Sequence, residues 1–288
     1  MFNPKSTYTN KIVRLLNNLF RVLCVLSVFI VFSFTFAAQI DTVEIKSKAM
    51  WKSSEAVIVL PEKYLSGSGN FSVLYLLHGW SGCYRDWSRH TDLGILADKY
   101  EIIIVCPDGG YAGWYIDSPL VEDSQYETYI SDEVVAFVDE HYRTIAEKDG
   151  RVICGLSMGG HGAISMLARH PDIYCAAGSM SGIMELTSSS KKYGLTELLG
   201  DYRTNRDRWK KNSCINLASR LAEKNKGIII DCGVDDFLVK GNRKMHKKLL
   251  KLKIDHDYYE RPGKHGWNNW TNALECHILF FSKFLKHE

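Results

Sequence analysis

The chain lacks the cysteine patterns that would mark a metal or redox protein. Eight cysteines are present, yet no Cys-x-x-Cys pair and no Cys/His ligand spacing occurs, which argues against zinc modules and thioredoxin-like chemistry. Seven of them follow residue 38 (Cys83, Cys106, Cys154, Cys175, Cys214, Cys232 and Cys276). Cys106, Cys154 and Cys232 end apolar runs, where cysteine serves as a small buried hydrophobe; a disulfide among the others is open, with no pairing legible. Internal repeats, low-complexity tracts and a linker long enough for a second domain are also missing, so solenoid and multidomain designs drop out. Large net charge is absent too. The formal value is +3 at pH 7, and four of the positive charges, Lys5, Lys11, Arg14 and Arg21, lie in the first 38 residues, where there is no acid. Without them the balance is about −1, so neither nucleic acid nor an anionic surface is indicated as partner.

The same 38 residues combine a basic start with an uncharged run from Val22 to Ala38 that ends on two alanines. Ser27, Ser33 and Thr35 dilute this run, and it is short for a membrane span. Residues 1–38 therefore read as a cleaved signal peptide rather than a membrane anchor. This predicts an exported, periplasmic or secreted protein whose working part is residues 39–288, with no stable membrane span after cleavage.

What is present is ordinary globular composition, 45% hydrophobic and 24% charged, arranged as alternating short β-branched runs and longer helical patterns. Strands are predicted at 42–47, 55–60, 71–77, 101–106, 151–154, 174–180, 227–231 and 255–260, and helices near 88–99, 128–145, 158–169, 239–253 and 270–286. The inner strands are almost wholly apolar, as strands buried on both faces are. Two hairpin-like strands followed by βαβ alternation predict an α/β fold, a mostly parallel sheet flanked by helices. The polar stretch 185–213 has no strand pattern and reads as a short lid-like insertion over the strand ends. In "NRKMHKKLLKLK" (242–253), Met245, Leu249 and Leu252 form the buried stripe of an amphipathic helix whose lysines face water.

The stretch "VICGLSMGGHG" (152–162) carries Gly-x-Ser-x-Gly between a strand and a helix. In that context the serine, Ser157, sits on a sharp strained turn, with glycine at 155 and 159 because side chains there would collide. A helix N-terminus behind it supplies free N–H groups where negative charge would form. The nearby "GSMSG" (178–182) has neither the spacing nor a following helix, so Ser179 and Ser181 read as small residues beside the site. Activating a serine hydroxyl requires a base. Downstream, only His265 lies in a loop between the last strand and the last helix, in "RPGKHGWNNW". The acid belongs to the loop after the preceding strand, where Asp231, Asp235 and Asp236 compete and spacing does not choose among them. In "LYLLHGWSG" (74–82), Gly79 lets the chain turn so that the amide of Trp80 can pair with that of Met158 as an oxyanion hole, while His78 orders the loop. Trp114, Tyr115 and Trp267 are candidate substrate-binding aromatics, with Trp80, Trp87 and Trp270 nearby.

Taken together, "LLHGWSG", "GWYIDSP", "YETYISDEVVAFVDEHYRT", "GLSMGGHGA", "DCGVDDFLVKGNR" and "PGKHGW" resemble the esterase D-type esterase family. That family includes S-formylglutathione hydrolases, tributyrin, feruloyl and acetylxylan esterases, and mycolyltransferases. The resemblance runs from about residue 50 to the end. It implies an α/β-hydrolase fold, no metal or organic cofactor, and Ser–Asp–His catalysis through an acyl-enzyme. Its acidic motif, Asp-x-Gly-x-x-Asp, places the acid at Asp236, its serine and histidine fall on Ser157 and His265, and its oxyanion residue falls on Trp80. Lys264 departs from the glycine that many relatives carry before the histidine. The function expected is an exported serine carboxylesterase acting on short-chain or aromatic esters, acetyl or feruloyl, free or linked to polysaccharide. The rivals are an acyltransferase to a carbohydrate hydroxyl using the same triad, and a non-catalytic binding protein on the same scaffold. Acyl length, alcohol and oligomeric state are not written in the sequence.

Overall fold

Eight short runs of β-branched and aliphatic residues form one sheet, in the order β1-β2-β4-β3-β5-β6-β7-β8. The strands are β1 (Gln39–Ser47), β2 (Lys52–Leu60), β3 (Val73–Leu77), β4 (Ile103–Pro107), β5 (Arg151–Leu156), β6 (Ala176–Met180), β7 (Gly227–Gly233) and β8 (Asp257–Arg261). β1 and β2 form an antiparallel hairpin and β2 pairs antiparallel with β4; every pair from β4 through β8 is parallel. A computed structural model of the chain describes residues 14, 38–189, 193–222 and 226–286. The expected signal segment falls almost wholly outside them. Residues 37–288 form one compact unit, and among the described residues no helix is long and apolar enough to cross a membrane.

Side chains alternate across each strand, and here the alternation feeds two cores. Val73, Tyr75 and Leu77 of β3 join one cluster with Ala163, Ile164, Leu167, Met245 and Leu249. Leu74 and Leu76 join another with Leu93, Leu96, Trp270, Leu274 and Phe281. The first core is covered by α2 (Met158–Arg169) and α3 (Val239–Leu252), the second by α1 (Leu93–Tyr100) and α4 (Trp267–Phe281). Each aliphatic side chain so buried contributes on the order of 2 kcal/mol. In α3, Met245 and Leu249 are buried, while Lys240, Lys244, Lys247, Lys248 and Lys251 are exposed. All seven cysteines after residue 38 are free thiols.

Several boundaries differ from the sequence reading for local reasons. The single helix expected at 88–99 is two pieces, Asp86–His90 and α1. Thr91 is extended, and the Asp92 side chain accepts the Ile95 amide at 3.2 Å as a cap that restarts the helix. The helix expected at 128–145 ends at His141 and holds a π-helical turn, Tyr129–Val134. The 185–213 stretch contains short helices, Leu195–Leu199 and Arg206–Asn212. Leu195, Leu198, Leu199 and Trp209 are buried, so core packing anchors it in place.

Candidate active site

The parallel strands deliver their carboxyl ends to one edge, where β5 runs into α2 through Ser157. Ser157 has φ 52° and ψ −112°, outside the regions open to most residues, and the elements around it hold the turn closed. Its amide donates to the Met180 carbonyl (2.9 Å) and its carbonyl accepts the His161 amide (3.1 Å). Glycine is required on both sides. A Cβ at position 155 would lie 2.5 Å from the Gly159 carbonyl carbon, and one at 159 would lie 2.5 Å from the Leu77 oxygen. Strain of this size costs on the order of 1–3 kcal/mol and persists where surrounding structure over-determines it.

Three side chains from separate loops meet above that turn. His265, in the loop between β8 and α4, places Nε2 3.0 Å from Ser157 Oγ. Its Nδ1 lies 2.8 Å from Asp236 Oδ2. Asp236 follows β7 and is 2% exposed; its other oxygen, Oδ1, accepts the Leu238 amide at 2.8 Å. Burial alone would raise this carboxyl, but hydrogen bonds from His265 and the Leu238 amide outweigh it and leave it below the ordinary carboxylate value. The imidazole is packed between Phe237 (ring centroids 4.5 Å apart) and the edge of Trp270 (4.9 Å).

The neighbouring acids have other partners. Asp231 ends in an ion pair with Arg261, whose Nε donates to it at 2.7 Å, and Asp235 is exposed. Of the three acids left open by spacing, only Asp236 reaches His265.

A family model for Esterase matches residues 47–281. The chain belongs to the Esterase family. An esterase of Mycobacterium tuberculosis is 30% identical over 238 residues, 72% of this chain and 51% of that protein, so the chain spans about half the length of this relative. An acetyl esterase of Caldicellulosiruptor saccharolyticus is 27% identical, with 82% of this chain covering 96% of it. Among solved structures, a ferulic acid esterase superposes with a TM-score of 0.77 at 26% identity, covering 88% of this chain and 100% of that one. The fold these esterases share is the α/β-hydrolase fold.

Within this Esterase domain, Ser157 and His265 open onto a cavity of about 460 Å³. Trp80, Trp114, Ile183, Tyr193, Phe237, Trp267 and Trp270 line it, with Asp86 as a charged member of the wall. Trp114 is buried, adopts φ 55° and donates its indole N–H to the Tyr193 carbonyl at 2.8 Å. Trp267 stacks flat on His90 (3.9 Å). Tyr115 departs from the expectation of substrate contact. It is fully buried, its hydroxyl donates to the His78 carbonyl at 3.0 Å, and it is not part of the cavity wall. Trp87 likewise packs in the core, its indole bonded to the Leu77 carbonyl at 3.0 Å.

Met158 opens α2 directly after Ser157, where a helix leaves its first amides without intrahelical acceptors. Trp80 lines the cavity, and its backbone N–H has no acceptor among the described residues. Sequence reasoning missed Phe237 and Tyr193. Phe237 was findable as the apolar residue directly after the acid, whereas Tyr193 sits in a polar stretch with no pattern to flag it. Among the described residues no three His, Cys, Asp or Glu side chains are grouped as metal ligands.

Proposed function

We propose that the chain is an exported serine carboxylesterase hydrolysing short-chain or aromatic esters through Ser157, His265 and Asp236. The observation that carries this reading is the continuous hydrogen-bonded chain from Ser157 Oγ through His265 to Asp236, at 3.0 and 2.8 Å, on a strained turn facing a cavity. His265 takes the serine proton as Oγ attacks the ester carbonyl, and Asp236 holds the imidazole in the required tautomer and stabilises its cation. The developing oxyanion is held by the amides of Trp80 and Met158, each worth about 3 kcal/mol in the transition state. The alcohol leaves with the proton from His265. Water, deprotonated by the same imidazole, then releases the acid from the acyl-enzyme.

A cavity walled by indoles and a phenol suits a flat aromatic acyl group as well as acetate. The ferulic acid esterase and acetyl esterase relatives support both ends of that range.

The decisive test is Ser157→Ala, which is expected to fold normally, lose several orders of magnitude in nitrophenyl acetate turnover and take up no fluorophosphonate label. Retention of most turnover would sink the assignment. Product analysis with a sugar acceptor present separates hydrolysis from transfer: free acid as the main product supports the esterase, and acylated sugar supports the acyltransferase.

Export rests on the basic, acid-free start and the apolar run ending at Ala38. The mature protein is expected to begin near residue 39. N-terminal sequencing that finds residues 1–38 retained would refute cleavage.

A further inference from the structure

The Trp80 amide can serve as an oxyanion donor only if its peptide plane is held in one orientation, since a free loop peptide would turn its N–H toward water. The structure contains a device that holds it. His78, directly after β3, is 1% exposed. The Gly109 amide donates to its Nε2 at 2.7 Å, which leaves the ring proton on Nδ1. That Nδ1–H donates to the carbonyl oxygen of Gly79 at 2.8 Å. The same oxygen also accepts the Gly82 amide at 3.1 Å.

Gly79 C=O and Trp80 N–H belong to one peptide group. The chain has no cis peptide bond among the described residues, and in a trans peptide the two groups point in opposite directions. Fixing the Gly79 oxygen on the imidazole therefore turns the Trp80 N–H away from His78. The serine is the neighbour on this side of the loop: a Cβ on Gly79 would lie 3.6 Å from Ser157 Cβ, and Gly79, Trp80 and Ser157 line one cavity. Burial lowers the pKa of the ring, against the Gly79 carbonyl, Asp108 and Asp86, which raise it, so the imidazole stays neutral and keeps one donor and one acceptor. The backbone of His78 is tied down as well, because its carbonyl accepts the Tyr115 hydroxyl at 3.0 Å. The Ser81 amide, at φ 61°, donates to the Tyr111 carbonyl at 2.7 Å. The 78–82 turn and the 109–115 loop are thus cross-linked through His78, by its ring and its carbonyl, and through the Ser81 amide.

We infer that His78 is a positioning residue for the oxyanion hole: its neutral, Nδ1-protonated imidazole orients the Gly79–Trp80 peptide so that the Trp80 N–H faces the carbonyl under attack by Ser157. This rests on the catalytic reading of Ser157 above. It also gives Tyr115 a role, as a support of this residue rather than a contact for substrate.

Two substitutions separate the ring nitrogens. In His78→Asn the amide nitrogen falls where Nδ1 sits and keeps the donation to Gly79. In His78→Gln the side-chain oxygen reaches the Nε2 position and keeps Gly109 while the Gly79 oxygen is released. His78→Gln is expected to lose about 10²-fold in kcat, the scale of one oxyanion donor, at unchanged KM, and to weaken a boronic acid transition-state analogue in proportion. Its affinity for the carboxylic acid product should not change. His78→Asn is expected to lose less than tenfold. Full kcat in a folded His78→Gln overturns the inference, as does equal weakening of boronate and product binding. If His78→Gln does not fold, His78→Asn decides: a loss under tenfold supports the inference and a loss near 10²-fold overturns it. The two readings fail separately, because an active Ser157→Ala removes the catalytic assignment, whereas an inert Ser157→Ala beside a fully active His78→Gln removes only the role of His78.

Discussion

Two buried carboxylates stand five positions apart at the end of β7, and they have been put to different uses. Asp231 and Asp236 are each 2% exposed. Asp231 is neutralised by Arg261, a permanent cation, across the β7–β8 pair; burial raises its pKa more than Arg261 lowers it. Asp236 faces His265, a partner whose charge can change and whose far nitrogen meets Ser157 Oγ. A guanidinium cannot pass a proton near neutral pH, so the first pair can only hold the strands together. An imidazole can be protonated and deprotonated there, so the second pair can support chemistry.

The sharpest way to break this contrast is Asp236→Asn. It is expected to lower kcat by roughly 10⁴-fold with folding intact, because the imidazole loses its orienting acceptor and the stabiliser of its cation. Steady-state kinetics at matched Tm checks it, and activity near wild type would show that the pair at Asp236 is as structural as its neighbour. Arg261→Met is the converse case. Removing the cation from a buried carboxylate is expected to cost about 3–5 kcal/mol of stability, read as a lower denaturant midpoint, while kcat/KM per folded molecule stays unchanged. A large fall in kcat/KM at full stability would erase the distinction.

A third effect, read on stability and not on activity, concerns histidines that carry no expected chemistry. Burial pulls His161 down to about 4 and His277 down to about 3. Between pH 6.5 and these values the unfolded chain binds protons that the folded chain refuses. The stability contributed by the neutral rings is complete above pH 6.5 and is lost as pH falls toward 4, at about 1.4 kcal/mol per unit per histidine. Unfolding curves from pH 7 to 4 should show this slope, and His277→Gln should reduce it. An unaltered slope in that variant would assign the acid sensitivity elsewhere.

How much could be seen beforehand differs by feature. The inner strands β3 to β7 stand out because strands buried on both faces are made almost wholly of apolar and small residues, whereas the edge strands β1 and β8 are half exposed and carry polar residues throughout. The break in the helix expected at 88–99 is not legible, since it depends on the Asp92 side chain turning back to the Ile95 amide. Ser157 is legible because a strained turn needs its glycines at fixed offsets, and His265 because it alone lies in the right loop. Trp114 and Tyr115 look alike in the sequence, adjacent and both aromatic, and in the fold both adopt φ 55°. Yet the first lines the cavity and the second is buried beneath the His78 loop.

By itself the sequence determined the order of strands and helices, the strained serine turn and the loop that carries the histidine. These follow from hydrophobic period and from the steric need for glycine, both of which act over a few neighbouring residues. The tertiary structure decided what spacing along the chain left open: which carboxylate meets the imidazole, which aromatic rings face the cavity, and which way the Gly79–Trp80 peptide points. Those outcomes depend on directions of side chains and peptide planes set by contacts between residues far apart along the chain: Asp236 with His265, Trp114 with Tyr193, and His78 with Gly109.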